Sequence, residues 1–169
     1  MSPLGLDRLT LRYWLLGFAQ AAHSMEEMRA RLYDFFWIAT GRLHEIFPAI
    51  TPVRMSAQTF ALLNMSFITI LLGTVPAVRA RKPLALGLAG VAGVIEVLNG
   101  IGHTAGAIWF RGYVPGVATA PLLFVTGVLV LRELFSRRGQ VSPLTPAPSG
   151  AEGEKALTPT LSQAERVES

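Results

Sequence analysis

Two short runs of polar side chains interrupt stretches that otherwise read as hydrocarbon. Between Lys82 and Arg111 the ionisable residues are Glu96 and His103, with the carboxamide of Asn99 between them. On a helix that turns about 100° per residue, the three fall within about 60° of arc. The second run follows the largely apolar stretch Leu9–Ala22. There His23, Glu26 and Glu27 stand at i, i+3 and i+4 on one helix face, and Gln20 lies one turn before. A charged group deep in a bilayer costs at least about 2.5–3.5 kcal/mol on insertion scales, so such faces mark a functional site.

These side chains support three kinds of chemistry. In the first, His23, His103, Glu26, Glu27 and Glu96 ligate one or two divalent ions; imidazole nitrogen with carboxylate oxygen suits Zn, Mn or Fe. In the second, the same residues with Asn99 act without metal, as acid and base on a lipid-soluble small molecule. In the third, they form a proton relay or a cargo site in a small transporter or ligand-binding membrane protein. Four spans without an inverted repeat weigh against a self-contained transporter, so a membrane-embedded enzyme is the favoured reading. Structural roles compete at single positions: Asn99 as interhelical hydrogen-bond glue, and Glu26 and Glu27 as the exit of a span. His44-Glu45 reads as exposed and non-catalytic.

Composition places these faces in a membrane protein. The chain of 169 residues is 51% apolar and 15% charged, with mean hydropathy +0.43, too greasy for a soluble domain of this size. Its net charge of +4 sits at the ends of apolar runs, which argues for topology signals and against nucleic acid as a partner. With no Cys, disulfides, thiolate nucleophiles and thiolate-held metals are excluded.

The expected architecture is all-α: a polytopic four-helix membrane bundle over residues 1–135 and a disordered tail over 136–169. The spans are Leu9–Met28, Met55–Val78, Pro83–Phe110 and Val114–Leu131, the second being free of charge and ample for about 30 Å of hydrocarbon. Leu9–Met28 has a competing reading as a signal peptide, because Arg8 and Arg12 precede a short apolar core that ends in Ala19-Gln20-Ala21. Arg29–Arg54 is rich in aromatics and suits the interface as a surface helix followed by an irregular turn. The glycines of the third span allow close backbone approach and make it the expected central helix. Pro121 should kink or break the fourth. In the tail, Leu144-Thr145-Pro146 recurs as Leu157-Thr158-Pro159, a polar repeat that cannot bury a core.

Positive charge orients the bundle. Arg8, Arg12, Arg79, Arg81, Lys82, Arg132, Arg137 and Arg138 fall on one side, against Arg29, Arg31, Arg42, Arg54 and Arg111 on the other, so both termini are expected in the cytoplasm. Spans one and three then run in the same direction. His23 lies about 14 residues into the first and Glu96 about 13 into the third, so the two polar faces are expected to meet at similar depth.

His23-Ser24-Met25-Glu26-Glu27, Asn99 with His103, and Tyr113-Val114-Pro115-Gly116 leading to Thr119-Ala120 together resemble the HXXEE-domain family of small bacterial membrane proteins, over about residues 12 to 132. The resemblance implies a bacterial inner-membrane protein whose motif positions are His23, Glu26, Glu27, Asn99 and His103. It implies no reaction.

Overall fold

The first helix, α1 (Arg8–Arg29), starts where Asp7 turns its carboxylate onto the free N–H groups of Leu9 and Thr10, at 3.0 and 3.2 Å. The same carboxylate accepts from the Thr10 hydroxyl at 2.7 Å and pairs with Arg81 at 2.6 Å. In the computed structural model residues 7–138 are described, and all their regular structure is helical: α1, α2 (Leu32–Ile46), α3 (Ala57–Arg79), α4 (Pro83–Phe110) and α5 (Ala120–Arg138). Burial tends to raise the Asp7 carboxyl, but its Thr10 and Leu9 hydrogen bonds and Arg81 outweigh that and hold it below its ordinary value. A depressed folded value means that the cap's contribution is present at neutral pH and lost on acidification. Asp7→Ala is therefore expected to cost about 1–2 kcal/mol of stability near neutrality and progressively less in acid, read by denaturant unfolding in detergent.

Helices α1, α3, α4 and α5 pack as an up-down-up-down bundle, tied at the end where α1 begins by Asp7–Arg81 and by Arg12–Glu133 at 2.7 Å. That half of the bundle is dry: Leu9, Tyr13, Leu16, Leu71, Val75, Val78, Ala85, Ala89 and Val130 form one buried cluster. The other half holds the polar faces. No one helix is central: α1 packs on α3 and α5, and α4, which its glycines led us to expect at the centre, packs chiefly on α5. α1 is buried between α3 and α5 and carries ten buried residues. The small residues of α4 serve α5 instead, where a Cβ placed on Gly127 would lie 2.8 Å from the Gly93 carbonyl oxygen.

The aromatic stretch after α1 contains a helix, α2, that buries only Leu32 and rests against α4 through Phe35 on Phe110, ring centroids 4.8 Å apart. An irregular segment then leads to α3. The fourth expected span begins later than its hydropathy indicates. Residues 112–119 form a turn-rich strap, and Pro121 is the second residue of α5. In a helix's first turn the missing N–H of proline leaves nothing unpaired, so the expected kink is absent. At the far end Ser136–Arg138 continue α5 beyond the expected boundary at residue 135, and the rest of the tail with its repeat lies outside the described residues.

Two helices, α3 and α4, are long and apolar enough to cross a membrane. The expected number was four. α1 carries Arg12, Glu26 and Glu27 within its length, and α5 carries Arg132 and Glu133, which lowers the average of each.

Candidate metal centre

Glu27 stands one turn after His23 on α1, and its Oε1 lies 3.1 Å from His23 Nε2 and 3.2 Å from Nε2 of His103 on α4. The two imidazoles meet edge to face, with centroids 4.7 Å apart and an interplanar angle of 79°. His23 is fully buried, and Glu27 and His103 nearly so.

One hydrogen bond fixes the proton on His23. Thr119, at the end of the strap, donates its hydroxyl proton to Glu26 Oε2 at 2.6 Å. A hydroxyl has one proton, so at its 2.8 Å contact with His23 Nδ1 the Thr119 oxygen accepts and Nδ1 carries the hydrogen. In the neutral ring Nε2 is then a bare lone pair, and it has no hydrogen-bond partner although Glu27 is adjacent. Two acceptors held this close repel unless a proton or a metal ion stands between them. Ligand atoms of His23, Glu27 and His103 all lie within 4.8 Å of one another, a set that can hold a metal ion. An ion about 2.0–2.1 Å from each donor leaves the donors roughly 3.0–3.4 Å apart, which matches both contacts to Glu27.

Glu26 faces elsewhere. Its carboxylate accepts from the Tyr113 hydroxyl at 2.7 Å, the Ala118 N–H at 3.1 Å, the Thr119 N–H at 2.8 Å and the Thr119 hydroxyl. Burial first, and then donation to the Glu26 charge, hold the Tyr113 phenol protonated above its ordinary range. Glu26 thus clamps the strap, and the strap lies over the imidazoles at Gly116. There φ is +94° and an added Cβ would sit 2.6 Å from His103 Cε1 and 2.7 Å from His23 Cε1.

The family model described as "Protein of unknown function with HXXEE motif" matches residues 14–131. The chain belongs to this family. No curated protein and no solved structure matches it. The HXXEE motif is His23-Ser24-Met25-Glu26-Glu27. Its His and second Glu make the candidate metal centre with His103, and its first Glu holds the strap that orients the His. That division corrects the expectation that Glu26 is a ligand: adjacent helical residues point about 100° apart, so Glu26 and Glu27 cannot both face His103.

Glu96 also lies outside the trio. It is fully buried one layer deeper, against the carboxamide of Gln20 and hydrogen-bonded by Asn99. The register between α1 and α4 is therefore about one turn from the expected one: Gln20 faces Glu96 and Glu27 faces His103, a seven-residue step on both helices. Ser24 and Asn64 extend the polar layer to α3, with Ser24 donating to Asn64 Oδ1 at 2.7 Å. His44 is exposed and contacts the Ile50 carbonyl, apart from the site.

Between α3 and α4, under α2, lies a cavity of about 930 Å³. Its walls include Phe60, Leu63, Phe67, Ile95, Leu98 and Trp109, and its polar floor is Gln20, Glu27, Asn64, Asn99 and His103. Sequence reasoning placed Thr119 and Tyr113 in the family pattern but not in the site. A threonine beside a proline-glycine turn reads as turn chemistry, and nothing local ties it to a glutamate more than ninety positions away.

Proposed function

We propose that the protein crosses the bilayer four times, holds a divalent ion on His23, Glu27 and His103, and is an enzyme acting on a lipophilic molecule taken into the cavity between α3 and α4. The bare, buried lone pair of His23 Nε2 beside the Glu27 carboxylate carries the reading. A His₂–carboxylate set with an open position is the donor arrangement of catalytic Zn and non-haem Fe sites, and Mn suits the same ligands. The chain's own groups supply the rest. Glu27 and His103 face the cavity floor, Thr119 keeps the His23 proton on Nδ1, and Asn99 offers a hydrogen-bonding amide to a substrate.

Exposed apolar side chains support the four spans. Phe18 on α1 and Phe124 and Val125 on α5 face outward, while His23 and Glu27 face inward and Arg12 is paired with Glu133. Averaged hydropathy counts those inward charges against the helix, although lipid would not meet them. On this reading both termini are cytoplasmic. Reporters fused at either end should report the same side, and opposite sides would refute the topology.

Metal analysis of protein purified without added chelator tests the centre. Wild type is expected to retain about one ion per chain, and His23→Ala and His103→Ala to lose it, each with unchanged helical content. Equal and negligible metal in all three would remove the proposal. A bound ion would polarise a substrate oxygen or lower the pKa of a water, so the lipid extract of wild-type membranes should differ from that of His103→Ala membranes in one lipid class.

A further inference from the structure

The polar layer beneath the candidate metal centre contains a hydrogen-bond chain whose proton count can be closed in only one way. Glu96 touches the Gln20 carboxamide at 3.0 and 3.1 Å. The other end of that carboxamide touches Ser24 Oγ at 3.0 Å, Ser24 Oγ touches the Asn64 carboxamide at 2.7 Å, and the far end of Asn64 touches the Phe60 carbonyl at 3.2 Å. These are four links between two terminal acceptors.

Suppose Glu96 is a carboxylate. Gln20 must then turn its NH₂ to Glu96 and its oxygen to Ser24, and the single Ser24 proton goes to Gln20. Asn64 must donate to Ser24, which leaves the Asn64 oxygen facing the Phe60 carbonyl oxygen. One acceptor always opposes another. With a proton on Glu96 every link closes. Glu96 donates to Gln20 Oε1, Gln20 Nε2 to Ser24, Ser24 to Asn64 Oδ1, and Asn64 Nδ2 to Phe60. Burial makes an unpaired acceptor expensive, so the closed arrangement is the one the fold holds.

This arrangement decides what the cavity floor presents. The oxygens of Gln20 and Asn64 are both engaged within the chain, and each NH₂ keeps one hydrogen free. Asn99 adds a third carboxamide, already hydrogen-bonded to Glu96. All three residues line the cavity. The carboxamide part of the floor, beside Glu27, is therefore rich in N–H donors and matches a ligand group that accepts without donating. The walls run along α4 from Ile95 to Phe110, about 22 Å, an elongated apolar slot whose outer end carries Arg42 over the Phe110 ring. We infer that a neutral Glu96 fixes an amide floor that binds the carbonyl oxygen of a long-chain acyl ester, whose acyl chain lies along the apolar slot. The inference rests on the reading of this cavity as the substrate pocket and is independent of the metal.

Trp109 lines the cavity, whereas Trp14 and Trp37 do not, so a Trp14→Phe/Trp37→Phe protein in detergent carries one local reporter. The probes are lysophosphatidylglycerol with a dibrominated acyl chain and its ether analogue, which lacks the carbonyl. The ester is expected to quench Trp109 saturably and at least tenfold more tightly than the ether. Glu96→Gln, whose amide N–H still donates to Gln20, should bind the ester within about twofold of wild type, and Gln20→Leu should bind it as weakly as the ether. The carboxylic-acid C=O infrared band should be present in wild type and absent from Glu96→Gln. Equal affinity for ester and ether, or absence of that band, would overturn the inference, and the first comparison needs no variant at Glu96. Metal content measured on the same samples separates the two readings: quenching without metal removes the centre alone, and metal without quenching removes the acyl site alone.

Discussion

Gly116→Ala is expected to empty the proposed metal centre without substituting a ligand. The added methyl would stand 2.6–2.8 Å from three ring atoms of His103 and His23, closer than side chains pack. His23 is pinned through Nδ1 to Thr119, and both rings are buried against each other. The backbone objects as well, since φ of +94° is a region that L-residues with a Cβ rarely adopt. Overpacking and backbone strain each cost about 1–3 kcal/mol, so the variant is expected to be destabilised by roughly 2–6 kcal/mol. Its metal affinity should fall about 10–100-fold, the range seen when the groups that orient a ligand are disturbed. Gly112→Ala, in the same strap but with no contact closer than 3.8 Å, should retain both stability and metal. Equal metal content in the two variants would show that the strap does not set the imidazoles.

The two adjacent glutamates of the motif should give opposite phenotypes. Glu26→Ala removes the acceptor of four donors and leaves the Ala118 and Thr119 N–H groups of the strap without their carboxylate partner. Hydrogen bonds to a charged group are worth about 1.5–3 kcal/mol each, and since they do not add fully, a loss of about 3–5 kcal/mol is expected. Glu27→Gln should instead leave metal-free stability unchanged or raised. The amide places an N–H donor where a carboxylate now faces the bare His23 nitrogen. The same change removes an anionic ligand, so metal retention should collapse. Thermal unfolding in chelator beside metal content after purification reads both. Should Glu26→Ala prove as stable as wild type, the clamp is not what holds the strap.

Much of this was open to sequence reasoning because lipid-like surroundings make polar residues conspicuous. Glu96 and His103 are the ionisable residues between Lys82 and Arg111, and His23 with Glu27 is a one-turn pair, so candidates on α1 and α4 needed no tertiary information. The limits of α4 were equally plain, with Lys82-Pro83 at one end and Arg111-Gly112 at the other. Register was not. Whether Glu96 meets His23 or Gln20 turns on a shift of about one helical turn, and hydropathy locates helix ends no better than that. Glu26 was misread because face arguments group i+3 with i+4, while three of its four donors come from residues that hydropathy had merged into the last span. Pro121 was misjudged for the same reason: placed mid-span it breaks a helix, and placed in the first turn it starts one.

Three of the four bundle helices are followed within two residues by an arginine with positive φ: Arg31 at 57°, Arg81 at 57° and Arg111 at 52°. Glycine is the ordinary occupant of such a position, and a side chain there costs about 1–2 kcal/mol of backbone ease. The chain carries that burden at three corners and gains a cation at each, next to the partial negative charge of a helix C-terminus. These corners are consequently where the fold exchanges backbone ease for charge, and a sequence chosen for durability alone would relax them first.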